Sequence, residues 1–258
     1  MDYIQSFKER YKKYLYAVDT YPNVMENEFK IASEMMQIEN NNVILNIPAA
    51  GTDLKKYIYE EENENKNNII YHEFETSPEF STLGYKLCSY DNIPLENNTV
   101  DRIIVLASFH HVSLEERPKI YREFKRIMKD NNSLLVIGDV IKDSKQDKWL
   151  NEFVNKWNSR GHKGIFFDLS SSYDKNLLEK EGFSVEIQKK KYTWEFSNEN
   201  EMVDFVINLF GLDLIQRSLL LDYIKKYLEY SNDGNKCWFE WELVYFISKI
   251  SQDHIQSF

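Results

Sequence analysis

Short apolar runs recur along the first 140 residues of the chain and alternate with polar, helix-like stretches. Runs of this length with many branched side chains are typical of strands buried on both faces of a parallel sheet. The pattern therefore predicts strands at "NVILNI" (Asn42–Ile47), "NIIYHEF" (Asn68–Phe74), "DRIIVLA" (Asp101–Ala107) and "SLLVIGDV" (Ser133–Val140).

The clearest helical stretch is "SLEERPKIYREFKRIM", from Ser113 to Met128. Ser113 and Glu116 have the spacing of a capping box, which closes the first turn of a helix. The apolar residues that follow form one stripe at helical spacing: Leu114, Ile120, Tyr121, Phe124, Ile127 and Met128. Strands that alternate with helices predict a doubly wound α/β sheet, in which ligands bind beyond the carboxyl ends of the strands.

The second half of the chain is predicted to complete the sheet and to cover this edge. "FSVEIQKKKYTWEF" after Gly182 is predicted to be a sixth strand, and "KCWFEWELVYFISKI" a long last strand. The low-complexity run Glu60–Asn68 is predicted to be a solvated loop. We therefore predict an N-terminal helical cap at residues 1–40 and an α/β domain at 41–258, with a helical insertion at about 198–230 that could roof the site.

Charge and cysteine content narrow the classes of function. The formal net charge of −10 repels a phosphate backbone, which argues against nucleic acid as a partner. Cys88 and Cys237 are far apart and fit no metal-ligand spacing, and two cysteines are too few for a disulfide framework. The first twenty residues lack the apolar centre of a signal peptide, and no long apolar run follows. We expect a cytoplasmic protein that neither enters a membrane nor is exported.

Four segments, taken in order, resemble the motifs of the class I S-adenosylmethionine-dependent methyltransferases. "NIPAAGT" (Asn46–Thr52) is similar to the family's first motif, and "FETSPEF" (Phe74–Phe80) to its acidic strand end followed by Ser-Pro. "NIPLENNTVDRIIVLASFHHV" (Asn92–Val112) is similar to the Leu-Pro, turn, Asp, strand and His-His sequence. "EFKRIMKDNNSLLVIGDV" (Glu123–Val140) is similar to the helix, turn and fifth strand. One short motif recurs by chance, whereas four in the right order make a strong signal.

The resemblance implies a doubly wound, mostly parallel sheet of seven strands, with helices on both faces and an antiparallel last strand. It implies S-adenosylmethionine as the cofactor, methyl transfer as the reaction and no metal. Glu75 matches the family's acid that accepts both ribose hydroxyls. The full set of implied cofactor residues is Asn46, Pro48, Ala49, Ala50, Gly51, Glu75, Thr76, Ser77, Ser89, Tyr90, Leu106 and Ala107.

The first motif departs from the family pattern in ways that the cofactor explains only in part. A pyrophosphate needs several backbone amides at close range, whereas a methionine moiety carrying an ammonium and a carboxylate needs fewer. One glycine, Gly51, and two alanines can therefore suffice. Asn46 replaces the usual acid and removes a charge near the cofactor's ammonium. Ser89 stands where an acid usually binds the adenine amine, and Asp91 could take that role after a one-residue shift.

Histidines are the candidate general bases, because the pKa of imidazole suits proton removal near neutral pH. His110 and His111 follow the predicted strand at Asp101–Ala107. If they continue that strand, side-chain alternation allows only one of them to face the cofactor. His162 lies between Gly161 and Gly164 in a predicted loop at the mouth of the site, where a surface position at a helix end is an equal interpretation.

Aromatic and amide residues outside these motifs are candidates for binding the acceptor. They are Tyr11 and Tyr21 near the N-terminus, Asn158 in "NKWNSRGHKGIFFD", and Trp194. Ordinary core packing is the competing interpretation for the rings. The predicted function is methyl transfer to a small metabolite or natural product by a monomer or homodimer. Two alternatives stay open: internal cyclisation of S-adenosylmethionine with release of methylthioadenosine, and a methyltransferase-like protein that only binds.

Overall fold

The structure, a computed structural model, describes residues 4, 7, 8, 10–49, 54–60 and 68–251 of the chain. Two predicted cofactor residues, Ala50 and Gly51, lie outside the described residues, and so does most of the predicted polar loop, residues 61–67.

The strands form one mixed sheet. They are β1 (Val43–Asn46), β2 (Ile70–Glu75), β3 (Lys86–Leu87), β4 (Arg102–Leu106), β5 (Leu134–Asp139), β6 (Phe183–Phe196), β7 (Tyr230–Asn232) and β8 (Cys237–Ile250). Within the described residues the order is β3-β2-β1-β4-β5-β8-β6, with β7 added beside β8. The first five strands pair in parallel, and β8 runs antiparallel to both β5 and β6. The predicted doubly wound, mostly parallel sheet with an antiparallel last strand is confirmed.

The short strand β7 is an addition to the seven strands that the resemblance implies. It pairs with β8 through Tyr230–Asn232, on the edge that β5 occupies farther along β8. A tight turn joins β7 to β8, because Asp233 Oδ1 accepts from the amides of Asn235 and Lys236, at 2.9 Å each. Gly234 takes the left-handed backbone of this turn, with φ of +89°, at no steric cost.

Helices cover both faces of the sheet. They are α1 (Tyr11–Thr20), α2 (Glu26–Met35), α3 (Leu54–Glu60), α4 (Arg117–Ile127), α5 (Lys145–Asp147), α6 (Asn155–Trp157), α7 (Tyr173–Lys180), α8 (Glu199–Phe210) and α9 (Arg217–Tyr227). A π-helical stretch, Lys148–Val154, joins α5 to α6, and 3-10 turns lie at Pro78–Leu83 and Phe109–His111. None of the described helices has the length and apolarity needed to cross a bilayer.

Alternate residues of the central strands enter two separate layers of the core. Ile104 of β4 packs in the layer that includes Phe29 of α2, whereas its neighbour Ile103 packs in the layer that includes Phe124 of α4. Successive side chains of a strand point to opposite faces, so an uninterrupted apolar strand supplies both layers.

The predicted capping interaction forms, but the helix begins later than Ser113. Glu116 Oε2 accepts from the Ser113 hydroxyl at 2.6 Å and from the Ser113 amide at 3.2 Å. α4 then begins at Arg117 with Pro118 in its first turn, where a residue without an N–H group is tolerated. The capping pair therefore stabilises the turn that leads into the helix.

The N-terminal helices contact the late helical segment and the end of β6. Tyr21, just after α1, donates its hydroxyl to Asp204 Oδ2 of α8 at 3.0 Å. Asn27 of α2 donates to the backbone oxygen of Thr193 in β6 at 3.3 Å. Segments from the two ends of the sequence are thus packed against each other, and we refer to α1, α2 and α8 together as the cap.

Candidate active site

Two neighbouring cavities lie at the carboxyl ends of the parallel strands, and the cap lines the first of them. The first has a volume of about 120 Å³ and is lined by strand-end residues such as Pro48 and Ala107, and by cap residues such as Glu28 and Phe29. The second has a volume of about 270 Å³ and is lined mainly by polar residues, including Thr76, Ser89 and Asp91. His111 lines both cavities, so they lie side by side.

The first motif leaves β1 and runs along the edge of the sheet. Its backbone continues the sheet, because Ile47 N–H donates to Ile104 O at 3.1 Å and Ala49 N–H donates to Phe74 O at 2.9 Å. Asn46, Pro48 and Ala49 are buried, and Pro48 lines the first cavity. The described part of the motif therefore lies where the resemblance predicts a cofactor.

Glu75 ends β2 and is fully buried, at 0% exposure. Its Oε1 accepts from the backbone amides of Thr76 at 2.7 Å and Ser77 at 2.9 Å. The carboxylate therefore orders the turn that carries Thr76 to the second cavity. Contact of Glu75 with a ribose remains a prediction.

The residues predicted to surround the adenine ring form one polar group at the second cavity. Ser89 donates its hydroxyl to Asp91 Oδ1 at 2.6 Å, and Lys119 forms an ion pair with the other oxygen of Asp91. The hydrogen bond from Lys119 lowers the pKa of Asp91, so this carboxylate is ionised at neutral pH. The buried Tyr90 hydroxyl lies 3.0 Å from Ser108 Oγ. The structure thus brings Ser89, Tyr90 and Asp91 together with Thr76.

Leu106 and Ala107, at the end of β4, line the first cavity. Ala107 N–H donates to Gly138 O of β5 at 2.8 Å, and its backbone takes a positive φ of 48°. This left-handed position ends the strand and starts the turn that carries the two neighbouring histidines.

His110 and His111 both line the first cavity, which contradicts the alternation expected from a continued strand. The chain forms a 3-10 turn at Phe109–His111, and the two imidazole ring centres are only 4.2 Å apart. In such a turn successive side chains are not directed to opposite faces, so the alternation rule does not apply.

Asp139, at the end of β5, orients His110 twice. Its Oδ2 accepts from the His110 backbone amide at 2.8 Å, and its Oδ1 lies 2.8 Å from His110 Nδ1. A proton on Nδ1 then points at the carboxylate, which leaves Nε2 of the neutral ring as the electron-pair donor. Asp139 was not among the site residues predicted from sequence. Its position at the end of the predicted strand Ser133–Val140 could have indicated it.

His162 completes a group of three imidazoles. Its ring centre lies 5.3 Å from those of His110 and His111. One ring nitrogen from each lies within 4.8 Å of the others, a spacing at which they could share a proton or hold a metal ion. Burial, assisted by the nearby charges of His110 and Arg10, holds the pKa of His162 well below its usual value, so this ring is neutral.

Hydrogen bonds to neighbouring elements hold the loop that carries His162. Gly164 N–H donates to Asn151 Oδ1 at 2.7 Å, and Ile165 N–H donates to His110 O at 2.7 Å. The buried Arg117 guanidinium forms an ion pair with Asp174 and also donates to Ile165 O at 2.6 Å. Gly161 supplies the left-handed backbone of the turn, with φ of +71°. These bonds fix the position at which His162 meets the other two imidazoles.

Glu28 of α2 is the acidic group on the cap side of the first cavity, and sequence reasoning missed it. It is only 3% exposed, and Trp194 Nε1–H donates to its Oε2 at 3.1 Å. Burial raises the pKa of Glu28 to about 7, against the hydrogen bond from Trp194. Its neighbours Glu26 and Glu34 are acids on the same helix, so the sequence offered no signal that singled it out.

The four predicted acceptor residues are divided between the cavity and the cap. Trp194 lines the first cavity, whereas Tyr11, Tyr21 and Asn158 lie outside the lining of both cavities as the described residues define them. The Tyr11 ring lies 6.1 Å from the Phe80 ring, and Asn158 Nδ2 donates to Phe210 O at 2.9 Å. These contacts hold the cap in place, and acceptor binding by these three residues stays a prediction.

Known proteins resemble this chain in one sequence segment and in its overall fold. Residues 50–136 match the family model described as a methyltransferase domain. No curated protein sequence matches the chain.

Three solved structures illustrate the likeness of fold. The YcgJ protein of Bacillus subtilis is 11% identical, with a TM-score of 0.57 over 88% of this chain and 99% of that one. A complex of the Haloferax volcanii Trm112 methyltransferase activator with a putative methyltransferase matches with 10% identity and a TM-score of 0.58, over 96% and 97%. Phosphoethanolamine N-methyltransferase 2 of Haemonchus contortus, bound to phosphomonomethylethanolamine and S-adenosylhomocysteine, matches with 11% identity and a TM-score of 0.56, over 96% and 59%.

Residues 50–136 are therefore similar to a methyltransferase domain, and the chain has the fold of the class I S-adenosylmethionine-dependent methyltransferases. This confirms the resemblance that four motifs indicated. The match to a methyltransferase domain supports S-adenosylmethionine as the cofactor and methyl transfer as the class of reaction.

Proposed function

We propose that the protein transfers a methyl group from S-adenosylmethionine to a small organic acceptor held in the first cavity. The observation that carries this proposal is the position of that cavity, between the strand ends at Pro48 and Ala107 and the aromatic cap. A concave site lined mostly by apolar and aromatic side chains suits a metabolite or natural product rather than a macromolecule. The acceptor's chemistry is then set by the cap.

The second cavity fits the adenosine part of the cofactor. Thr76 Oγ1 is buried and has no hydrogen-bond partner among the described residues, and it belongs to a residue that lines this cavity. A ribose hydroxyl would satisfy such a group, because a buried hydroxyl without a partner carries a free-energy cost. Thr76, Ser77 and Glu75 would hold the ribose, Ser89, Tyr90 and Asp91 the adenine, and Asn46, Pro48, Ala49, Leu106 and Ala107 the methionine part.

When bound, S-adenosylmethionine supplies an electrophilic methyl group. The chain itself orients the acceptor, excludes water and receives the acceptor's proton. The proposed base is His110 through Nε2, because Asp139 holds Nδ1 and would stabilise the imidazolium that forms. His111 and His162 are the alternative bases, since their rings line the same cavity.

Product analysis tests this function. The purified protein is incubated with S-adenosylmethionine and pools of small amines, phenols, thiols and carboxylic acids. S-adenosylhomocysteine that forms only with an acceptor supports methyl transfer. Methylthioadenosine would instead indicate internal cyclisation, and the absence of both products with every pool would favour a protein that only binds.

We propose in addition that residues 1–40 and the insertion at about 198–230 work as one cap, and that the protein acts in the cytoplasm, in secondary metabolism, as a monomer or homodimer. Contacts between α1 and α8 support the joint cap. Free Cys88 and Cys237 are consistent with a reducing compartment. Light scattering at several concentrations measures the oligomeric state.

A further inference from the structure

We propose that Glu28 binds the positively charged nitrogen of an organic amine, so that the acceptor of this enzyme is a small amine. The proposal deepens the proposed function and rests on it only in identifying the bound amine as the acceptor. The binding of a cation in the first cavity can be measured without methyl transfer.

The first observation is a buried carboxylate whose surroundings are mostly apolar. Glu28 is 3% exposed and lines the cavity, and no described cation forms an ion pair with it. An isolated ionised carboxylate is costly to bury unless a cation compensates it. The bond from Trp194 Nε1–H needs only a neutral acceptor, which a glutamine would also provide. A cationic ligand gives the negative charge itself a function.

The second observation is the aromatic wall that faces this carboxylate. The rings that line the cavity are Phe7, Tyr14, Phe29, Trp194, Phe210 and Trp241. Trp194 stacks on Trp241 with ring centres 4.6 Å apart and an angle of 17°, and lies nearly parallel to Phe210 at 6.3 Å. Faces of aromatic rings carry negative electrostatic potential and attract organic cations, tryptophan most strongly. The carboxylate and the rings therefore favour the same kind of ligand.

The third observation concerns the basic groups around the same cavity. Arg10 lines the same cavity, with its guanidinium carbon 4.7 Å from the Phe7 ring centre and Nη1 donating to Phe210 O at 3.4 Å. Burial keeps His162 neutral. The amine can therefore sit against Glu28 while a neutral imidazole that lines the same cavity is available to take a proton.

The test compares amines with neutral molecules of the same shape. Choline is paired with 3,3-dimethylbutan-1-ol, and 2-phenylethylamine with 2-phenylethanol. Binding to the full chain is measured by calorimetry and by tryptophan fluorescence at about pH 8, where Glu28 is ionised. We expect at least one amine to bind about tenfold more tightly than its neutral partner.

Two substitutions on α2 test whether Glu28 causes the preference for the amine over its neutral partner. Glu28→Gln keeps an acceptor for Trp194 and should abolish the preference for the amine. Glu26→Gln removes an exposed carboxylate paired with Lys30 and should leave the preference unchanged. Equal binding of amine and neutral partner in both pairs, or a preference that survives Glu28→Gln, would overturn the proposal. Titration of the same samples with S-adenosylhomocysteine shows whether each variant is folded and still binds the cofactor product.

Discussion

The two walls of the first cavity are built in different ways. On the sheet side, His110 is positioned by a turn and by two bonds to Asp139 on the adjacent strand. On the cap side, Glu28 of α2 is held by one side-chain hydrogen bond from Trp194 of β6, across 166 residues of sequence. The sheet wall is built from the ends of adjacent strands, whereas the cap wall joins a helix to a strand far away in the sequence. We therefore propose that the sheet wall carries the reaction chemistry and that the cap wall selects the acceptor.

The largest expected effect comes from the sheet wall. His110→Asn should lower turnover by about two to four orders of magnitude, because general-base catalysis contributes on that scale. Affinity for S-adenosylhomocysteine should stay near the wild-type value. Steady-state kinetics with an acceptor identified by product analysis, together with calorimetry, measure both quantities.

His111→Asn and His162→Asn are compared in the same assay, with His72→Asn on β2 as the matched control. If all three cavity variants keep turnover within a few-fold of wild type, histidine is not the base, and the enzyme works by orienting an acceptor that is already nucleophilic.

Glu28 in the cap wall should make the free energy of unfolding depend on pH. Because burial raises the pKa of Glu28 to about 7 from 4.5, the folded state holds this proton more tightly than the unfolded state. The free energy of unfolding should therefore fall by about 3 kcal/mol between roughly pH 4.5 and pH 7 through this group alone. Glu28→Gln has no proton to lose and should lack this contribution.

Urea unfolding of wild type and Glu28→Gln is measured at the two ends of this pH range. The difference between their unfolding free energies isolates the contribution of Glu28, because the contributions of the other titratable groups cancel. The variant should gain stability relative to wild type as pH rises. A difference that is constant with pH would mean that Glu28 titrates normally and is not held in an apolar cavity.

A substitution at the second cavity should have a smaller effect, which is on the affinity for the cofactor product. Glu75→Ala should weaken S-adenosylhomocysteine binding by about 1.5 to 3 kcal/mol, through lost charge-assisted hydrogen bonds. Part of this loss is indirect, because Glu75 also orders the amides of Thr76 and Ser77. Calorimetry on the folded variant measures the affinity, and an unchanged dissociation constant would exclude Glu75 from the ribose site.

The smallest expected effect concerns metal. The family resemblance implies that no metal is needed, so EDTA should change cofactor affinity and turnover less than twofold. The three imidazoles make this a real test, because their nitrogens lie within 4.8 Å of one another. Loss of activity with EDTA and its recovery with Zn²⁺ would show that they hold a metal, since imidazole nitrogens are common zinc ligands.

Periodicity was most reliable where a segment is long or buried on both sides. The strand predicted after Gly182 coincides with Phe183–Phe196. The strands predicted at Asp101–Ala107 and Ser133–Val140 differ from the structure only at their ends. The extra strand at Tyr230–Asn232 was missed because three polar residues carry no periodic signal and pair only through their backbone. Pairing with β8, not sequence pattern, makes this segment a strand.

By itself the sequence determined the order of most strands and helices, and it predicted the edge of the sheet at which ligands bind and a resemblance to one family. These follow from the pattern of apolar residues and from motifs whose members are close in the chain. Tertiary structure decided that His110 meets Asp139, that three imidazoles share one cavity, and that Glu28 lies buried beside Trp194. Those relations join residues on different elements. Local propensity carries no information about them, because they exist only once packing has brought the elements together.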